Sequence, residues 1–192
     1  TALEIGYGGG RMLAAAGRYF SRVIGVDIHD QEKRVNEELR RRGIANVCLL
    51  KTEGDGLPVE SSSIDLVYSF IVLQHTEKYD IFKRYLSETS RVLKTKGIAI
   101  LYFGRKCICS ENKSSKLLYW VDRIAETMLL LKGYEELPAK VNEINLRVSL
   151  RHAKSLARQS GMDVLASLVS RKKVPDGVNL FGGQNGLILR KR

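Results

Sequence analysis

The sequence predicts an α/β fold, a doubly wound and mostly parallel sheet with helices on both faces. Three observations lead there. Short, almost wholly apolar runs recur at Leu3-Glu4-Ile5, Val23–Val26, Asn46–Leu50, Ile64–Phe70 and Gly97–Phe103. Charged stretches of helical period alternate with them. The first run ends in a glycine cluster, Gly6-Tyr7-Gly8-Gly9-Gly10. Near-continuous apolar strands belong to a parallel sheet buried on both faces. Right-handed crossovers then place the connecting helices on its two sides. Ligands bind such sheets beyond the carboxyl ends of the strands. The loops after residues 5, 26, 50, 70 and 103 are therefore expected to share one rim.

Each element follows from local pattern. Thr1-Ala2-Leu3 opens inside an apolar run, so the first strand is expected to be already under way and an N-terminal segment to precede it. Residues 11–20 predict a helix, with Met12, Leu13, Ala16 and Phe20 at helical spacing. Asp27 closes the second strand. A charged helix over 31–42 is expected to stop at Gly43. A further helix is expected over about 79–93. Beyond Phe103 the alternation breaks. Residues 104–116 are polar and basic, 117–131 form an apolar, amphipathic helix, and 132–150 are mixed. A helix over 151–160 ends at Gly161, and 162–170 and 186–189 predict two closing strands around a turn-rich connection. The expectation is one domain: residues 1–103 bind a cofactor, 104–150 form a substrate-side insertion, and 151–192 close the fold.

Composition narrows the class. With 192 residues, 44% of them hydrophobic, the chain can bury a sizeable core. No apolar run is long enough to span a bilayer, and no secretory signal opens the sequence. A cytoplasmic location is expected. Cys48, Cys107 and Cys109 make an odd count without framework spacing, which argues against a disulfide scaffold. Cys107-Ile108-Cys109 lacks a second Cys/His cluster and is read as free thiols, so no metal is expected. The net charge of +11 is uneven, with 17 Lys/Arg against 8 Asp/Glu in residues 105–192.

The glycine cluster carries the chemistry. Glycines between a strand and a helix let the backbone approach a ligand closely. Dinucleotide sites use G-x-G-x-x-G, but here the third place falls on Arg11. The spacing is instead E-x-G-x-G-x-G, from Glu4 to Gly10. Asp27 can accept hydrogen bonds from both hydroxyls of an adenosine ribose; the structural alternative is a turn or cap aspartate. In Gly54-Asp55-Gly56-Leu57-Pro58, Asp55 can meet an adenine amino group or simply stand in a turn.

With these residues in view, the sequence resembles the class I S-adenosylmethionine-dependent methyltransferases. Leu3 to Arg11 is similar to their motif I and Val26-Asp27 to their acidic ribose position. Gly54–Pro58 with Ser63–Ser69 resembles the branch that includes the quinone-biosynthesis methyltransferases, a type 11 domain. Arg91-Val92-Leu93-Lys94-Thr95-Lys96-Gly97 resembles the turn before their fifth strand. The likeness covers residues 1 to about 103. It implies a Rossmann-like, seven-stranded sheet closed by an antiparallel hairpin, with S-adenosyl-L-methionine as cofactor. It implies that Glu4, Gly6, Tyr7, Gly8 and Gly10 surround the methionine moiety and that Asp27 holds the ribose. Ile28 would pack on the adenine, Asp55 and Gly56 would meet its edge, and Ser69 and Phe70 would lie beside the sulfonium. Tyr7 stands where the family often has a small residue.

A sulfonium methyl needs only an aligned nucleophile and a dry site. A base is required only where the nucleophile must lose a proton. His75, in Phe70–Thr76, is the candidate base; the alternative is local packing. His29 and His152 are weaker candidates. Arg105, Lys106, Lys113, Lys116, Arg171, Lys172 and Lys173 favour an anionic small-molecule acceptor or form a solvated basic face. Arg190-Lys191-Arg192 is read as a solvated tail on the opposite rim. An RNA methyltransferase using the basic half is the alternative, not favoured because no separate nucleic-acid module is visible. A nicotinamide-dependent oxidoreductase conflicts with the glycine spacing. A catalytically inactive cofactor-binding domain is the remaining alternative.

Overall fold

The computed structural model describes residues 1–54, 56–106, 117, 120, 121, 124, 125, 128, 132–138, 144–169 and 183–192. The elements are β1 (Ala2–Ile5), α1 (Arg11–Ala16), β2 (Val23–Asp27), α2 (Glu32–Arg41), β3 (Val47–Lys51), β4 (Ile64–Ser69), α3 (Tyr79–Val92) and β5 (Leu93–Arg105). They continue with β6 (Tyr134–Glu136), β7 (Leu146–Val148), α4 (Leu150–Gln159), β8 (Met162–Val169) and β9 (Gln184–Lys191).

Strands β3-β2-β1-β4-β5 are hydrogen-bonded in that order and all parallel. The order reverses between β1 and β4, the point at which such sheets open a crevice for ligands. β9 runs antiparallel to β5, and β8 antiparallel to β9. This is the expected doubly wound sheet with its closing hairpin.

Alternation along the strands builds two cores. Leu3, Ile5, Val67, Leu101 and Phe103 face α3 and α4, where Phe82, Leu86, Val92 and Leu156 cover them. Ala2, Val23 and Tyr68 face α1 and α2, covered by Leu13, Val35 and Leu39. Both faces are thus buried, which is why the strands read as continuous apolar runs rather than alternating ones.

The structure differs from expectation in four places. The expected seven strands, β1 to β5 with β8 and β9, are joined in the described sheet by two further short ones, β6 and β7. β6 and β7 have three residues each, too short to show a period. β7 pairs with Gly104 and Arg105, past the point where β4 ends at the Ser69–Leu101 pair. Because β9 takes the other edge of Gly104, β7 continues the line of β4. α1 stops at Ala16 rather than running to residue 20. There Asn46 Nδ2 donates to the carbonyls of Gly17 and Phe20, satisfying groups that a longer helix would have paired itself. β5 begins at Leu93, four residues earlier than the apolar pattern suggests. Finally, the chain end is not a solvated tail. Lys191 Nζ donates to the Leu93 carbonyl at 2.7 Å, just beyond α3, and Arg192 pairs with Asp163 at 3.0 Å. A cation there suits the negative end of a helix.

Among the described residues no helix is long and apolar enough to cross a membrane.

Candidate active site

The glycine loop turns sharply off β1. Gly6 and Gly8 have φ of +77° and +47°, a region that side chains rarely adopt. A Cβ on Gly6 would fall 1.7 Å from Val72 Cγ2, so the loop lies directly against the segment after β4. A Cβ on Gly8 or Gly9 would meet nothing within 4 Å. The loop therefore presents bare backbone to open space, a cradle that side chains at these positions would fill. Gly6 N–H donates to Val26 O at 2.7 Å, and Gly10 N–H to Tyr7 O at 2.8 Å.

Tyr7 does not fill this cradle. Its ring is buried in the core beneath the loop, with Leu13, Val35 and Tyr68. Its edge-to-face partner is His29, at 4.8 Å between centroids. The departure at Tyr7 thus alters the packing under the loop and leaves the upper surface open. Burial, then the charges of Glu32, Asp27 and Asp30, push its phenol up to about 12.

Asp27 closes β2 beside the loop. Its Oδ2 accepts from Gly8 N–H at 2.8 Å and its Oδ1 from Ile28 N–H at 2.7 Å. A carboxylate has about four acceptor positions, so capacity remains for hydroxyl donors. His29 steadies the arrangement. Its Nδ1 accepts from Gln31 N–H, which leaves the hydrogen on Nε2, 3.2 Å from Gly8 O and 3.4 Å from Asp27 Oδ2. Ile28 is 62% exposed on the same rim, and Gly54 approaches it so closely that a Cβ there would lie 3.3 Å from Ile28 Cγ2.

Glu4 lies buried below, opposite Tyr68, whose Oη donates to its Oε2 at 3.2 Å. Burial pushes the Glu4 carboxyl up to about 8, and the Asp27 charge adds to the effect against the Tyr68 hydrogen bond. Glu4 acts from underneath and does not line the surface of the cradle.

The end of β4 is tied to both neighbours. Buried Ser69 donates through Oγ to Ile5 O at 3.1 Å. Phe70 packs its ring between Tyr68 and Tyr102, and its carbonyl accepts from Gln184 Nε2 at 2.6 Å. Gln184 also donates to Gln74 Oε1 at 3.0 Å. That fixes the orientation of the Gln74 amide, whose Nε2 sits 3.2 Å from His75 Nε2. His75 Nε2 is therefore the acceptor of a hydrogen bond. Asn145 Nδ2 donates to the His75 carbonyl at 3.1 Å. Two amide side chains from distant segments, Gln184 and Asn145, thus clamp the loop that carries Gln74 and His75, and sequence spacing gave no sign of them.

The loop after β3 is held from behind. Thr52 Oγ1 donates to Gly56 O at 2.7 Å and accepts from Gly54 N–H. Arg91 donates to the carbonyls of Leu57 and Val59 and grips Glu88 with two nitrogens at 2.7 Å. Glu88 in turn accepts from Leu57 N–H at 3.0 Å. Its carboxyl is held below its usual range mainly by the Arg91 hydrogen bond. A groove of about 410 Å³ opens here, lined by Lys51, Thr52, Glu53, Gly56, Leu57, Pro58 and Glu88.

The basic residues are less uniform than their sequence suggests. Arg105 is buried at the end of β5, and Lys106 donates to the carbonyls of Lys132 and Tyr134. Lys106 thus ties the end of β5 to the insertion. His152 stands on α4 with its Nε2 2.6 Å from Tyr79 Oη, beside the stacked rings of Tyr79 and Tyr134. Asp55, Cys107, Cys109, Lys113, Lys116, Arg171, Lys172 and Lys173 lie outside the described residues.

Comparison with known proteins agrees with this geometry. Residues 3–101 match the family model described as a methyltransferase domain. A search of the curated proteins finds no match. Among solved structures, an S-adenosylmethionine-dependent methyltransferase from Methanosarcina mazei is 19% identical, with a TM-score of 0.69 over 99% of this chain and 91% of that one. A putative sarcosine dimethylglycine methyltransferase from Galdieria sulphuraria is 17% identical, with a TM-score of 0.68 over 99% of this chain and 77% of that one. The [4+2]-cyclase SpnF superposes too, at 14% identity and a TM-score of 0.64 over 99% and 73% of the two chains. At these identities the likeness is one of fold. The family match spans more than half of the chain, in the segment that carries the glycine cradle, the β2 carboxylate and the β4 terminus. The chain belongs to this methyltransferase domain family, the class I methyltransferases whose methyl donor is S-adenosylmethionine.

Proposed function

We propose that the chain transfers the donor's methyl group to a small-molecule acceptor held over the crevice between β1 and β4. The observation that carries this reading is the hydrogen bond from Gly8 N–H to Asp27, which sets an open backbone cradle and a ribose-binding carboxylate side by side. An open glycine surface next to a carboxylate fits a nucleoside with a cationic tail.

In this reading Asp27 takes the ribose hydroxyls with its remaining lone pairs. Ile28 supplies an apolar face for the adenine, and Asp55 and Gly56 supply its edge. The backbone of Gly6, Tyr7, Gly8 and Gly10 follows the methionine moiety, with Glu4 beneath it. Ser69 and Phe70 stand next to the reactive centre. Once bound, the donor supplies an electrophilic methyl group, and the protein's work is alignment and exclusion of water. His75 is the candidate the sequence offers where the acceptor must lose a proton, but its Nε2 already accepts from Gln74, so alignment rather than general-base catalysis carries this reading. Lys106 is engaged by the insertion and Arg105 is buried, so in this reading a preference for anionic acceptors rests mainly on Arg171, Lys172 and Lys173.

The test is methyl transfer from labelled donor to panels of neutral metabolites, anionic metabolites and transfer RNA. Transfer to a small molecule, lost in Asp27→Ala, is expected. Labelling of RNA alone would replace the acceptor assignment, and stabilisation by NAD but not by S-adenosylmethionine would overturn the whole reading.

A further inference from the structure

His29 stands two residues beyond the ribose carboxylate, and its ring is fixed on three sides. Gln31 N–H donates to its Nδ1 at 3.2 Å, from the position that opens α2. Its Nε2 lies 3.2 Å from Gly8 O and 3.4 Å from Asp27 Oδ2. From below, the Tyr7 ring meets it edge to face, with the two planes at 82°. Room for that ring comes from β2, where a Cβ on Gly25 would fall 2.9 Å from Tyr7 Cδ1.

These contacts place the hydrogen. An Nδ1 that accepts leaves the proton of the neutral ring on Nε2. That one N–H is shared between a carbonyl of the glycine cradle and the oxygen of Asp27 that also accepts from Gly8 N–H. The ring therefore ties the loop after β1 to the end of β2, the two parts between which a donor would lie. The tie depends on protonation. A second proton on Nδ1 sets it against another donor, Gln31 N–H, and the contact that orients the ring is lost. The imidazolium also takes hold of the Asp27 oxygen that a ribose hydroxyl needs, and it repels a cationic ligand. The His29 side chain is 26% exposed, so protons reach it. The charged groups facing the Tyr7–His29 pair are Asp27, Glu32 and Asp30, the last of them paired with Lys51.

We propose that His29 is a positioning residue of the donor site: its neutral ring holds the glycine cradle to the ribose carboxylate through one N–H, and uptake of a second proton releases the donor. This rests on the methyl-donor reading of the crevice.

Calorimetric titration of the whole protein with S-adenosylmethionine and with its demethylated product, at about pH 7.5 and about pH 5.5, spans the imidazole range. His29→Gln keeps an amide N–H near the place of Nε2 and does not titrate. His29→Leu has no donor. At the higher pH the Gln variant is expected to bind within about threefold of wild type, and the Leu variant about tenfold more weakly. At the lower pH wild type should lose about tenfold more affinity than His29→Gln does. Glu4, pushed up to about 8 beneath the loop, acts on both proteins alike, so only the difference between their profiles belongs to His29. Imidazole nitrogen spectra, assigned by the signals missing from His29→Gln, should show the His29 proton on Nε2. Parallel pH profiles, wild-type affinity in His29→Leu, equal weakness of the two variants, or a proton on Nδ1 at the higher pH would overturn the proposal and leave the donor site standing. Binding of neither ligand by wild type at either pH would overturn the methyl-donor reading, and this inference with it.

Discussion

Glu4 shows how one residue under a binding loop can set a property of the whole protein. Burial pushes its carboxyl up to about 8 in the folded chain, from an ordinary value of 4.5. The native state therefore holds an extra proton between these values, and stability must fall as pH rises from about 4.5 to 8. Above 8 the buried charge is fully imposed. Glu4→Gln removes the effect. Urea unfolding of the two proteins is expected to diverge with rising pH, by on the order of a few kcal/mol over the window in favour of the variant. Parallel pH profiles would show that Glu4 is solvated. His75 can be judged at the same scale. The lone pair on its Nε2 already accepts from Gln74, whereas general-base catalysis is worth roughly 10²–10⁴ in rate. His75→Asn is therefore expected to keep kcat within about tenfold; a loss beyond that range would make His75 the proton acceptor.

Between elements, the decisive contacts are clamps from one segment onto another. Arg91 of α3 and its partner Glu88 hold the loop between β3 and β4 through backbone groups of Leu57 and Val59. Hydrogen bonds to charged groups contribute more than neutral ones, but this pair is partly exposed, so the loss is moderated. Arg91→Met is expected to cost about 2 kcal/mol and to lower the thermal midpoint by roughly 4–8 °C. Donor affinity should also weaken, because Gly54 and Gly56 lie in the clamped loop, even though Arg91 is remote from Asp27's contacts. Calorimetry with donor and product reads both effects. An affinity equal to wild type would mean the loop holds its shape without the clamp. The Gln184–Gln74–His75 chain and the Tyr79–Tyr134 stack are clamps of the same kind on the opposite side of the crevice.

For the whole molecule, the parallel sheet turns five separate loops into one site, because every strand from β3 to β5 delivers its carboxyl end to the same rim. A ligand bound across that rim stabilises all of it. Saturation to about a hundredfold above the dissociation constant contributes about 2.7 kcal/mol, or roughly 5–10 °C in a chain of this size. Such a shift is expected with S-adenosylmethionine and with its demethylated product, and none with NAD. The C-terminal hairpin belongs to the same unit. β9 pairs with β5 over seven residues, and Lys191 reaches across to the end of α3, so the basic terminus stabilises the fold where a solvated tail was expected.

The sequence by itself determined the parallel sheet and the place of the glycine loop. Both are local signals. Strands buried on both faces must be apolar throughout, as in Val23–Val26 and Gly97–Phe103, and a tight backbone turn at Gly6 excludes a side chain. The same locality made Asp27 legible, one residue past an apolar run. Only the tertiary structure decided that Tyr7 turns down into the core, that Asn46 ends α1, that β7 continues the line of β4, and that Gln74 and Gln184 engage the loop of His75. Each of those outcomes depends on partners tens of residues away, where no spacing rule operates. The helix over 117–131 is written in the sequence by its period, but that Leu117 and Met128 stay exposed while Val121 and Ile124 are half-buried is decided by packing alone.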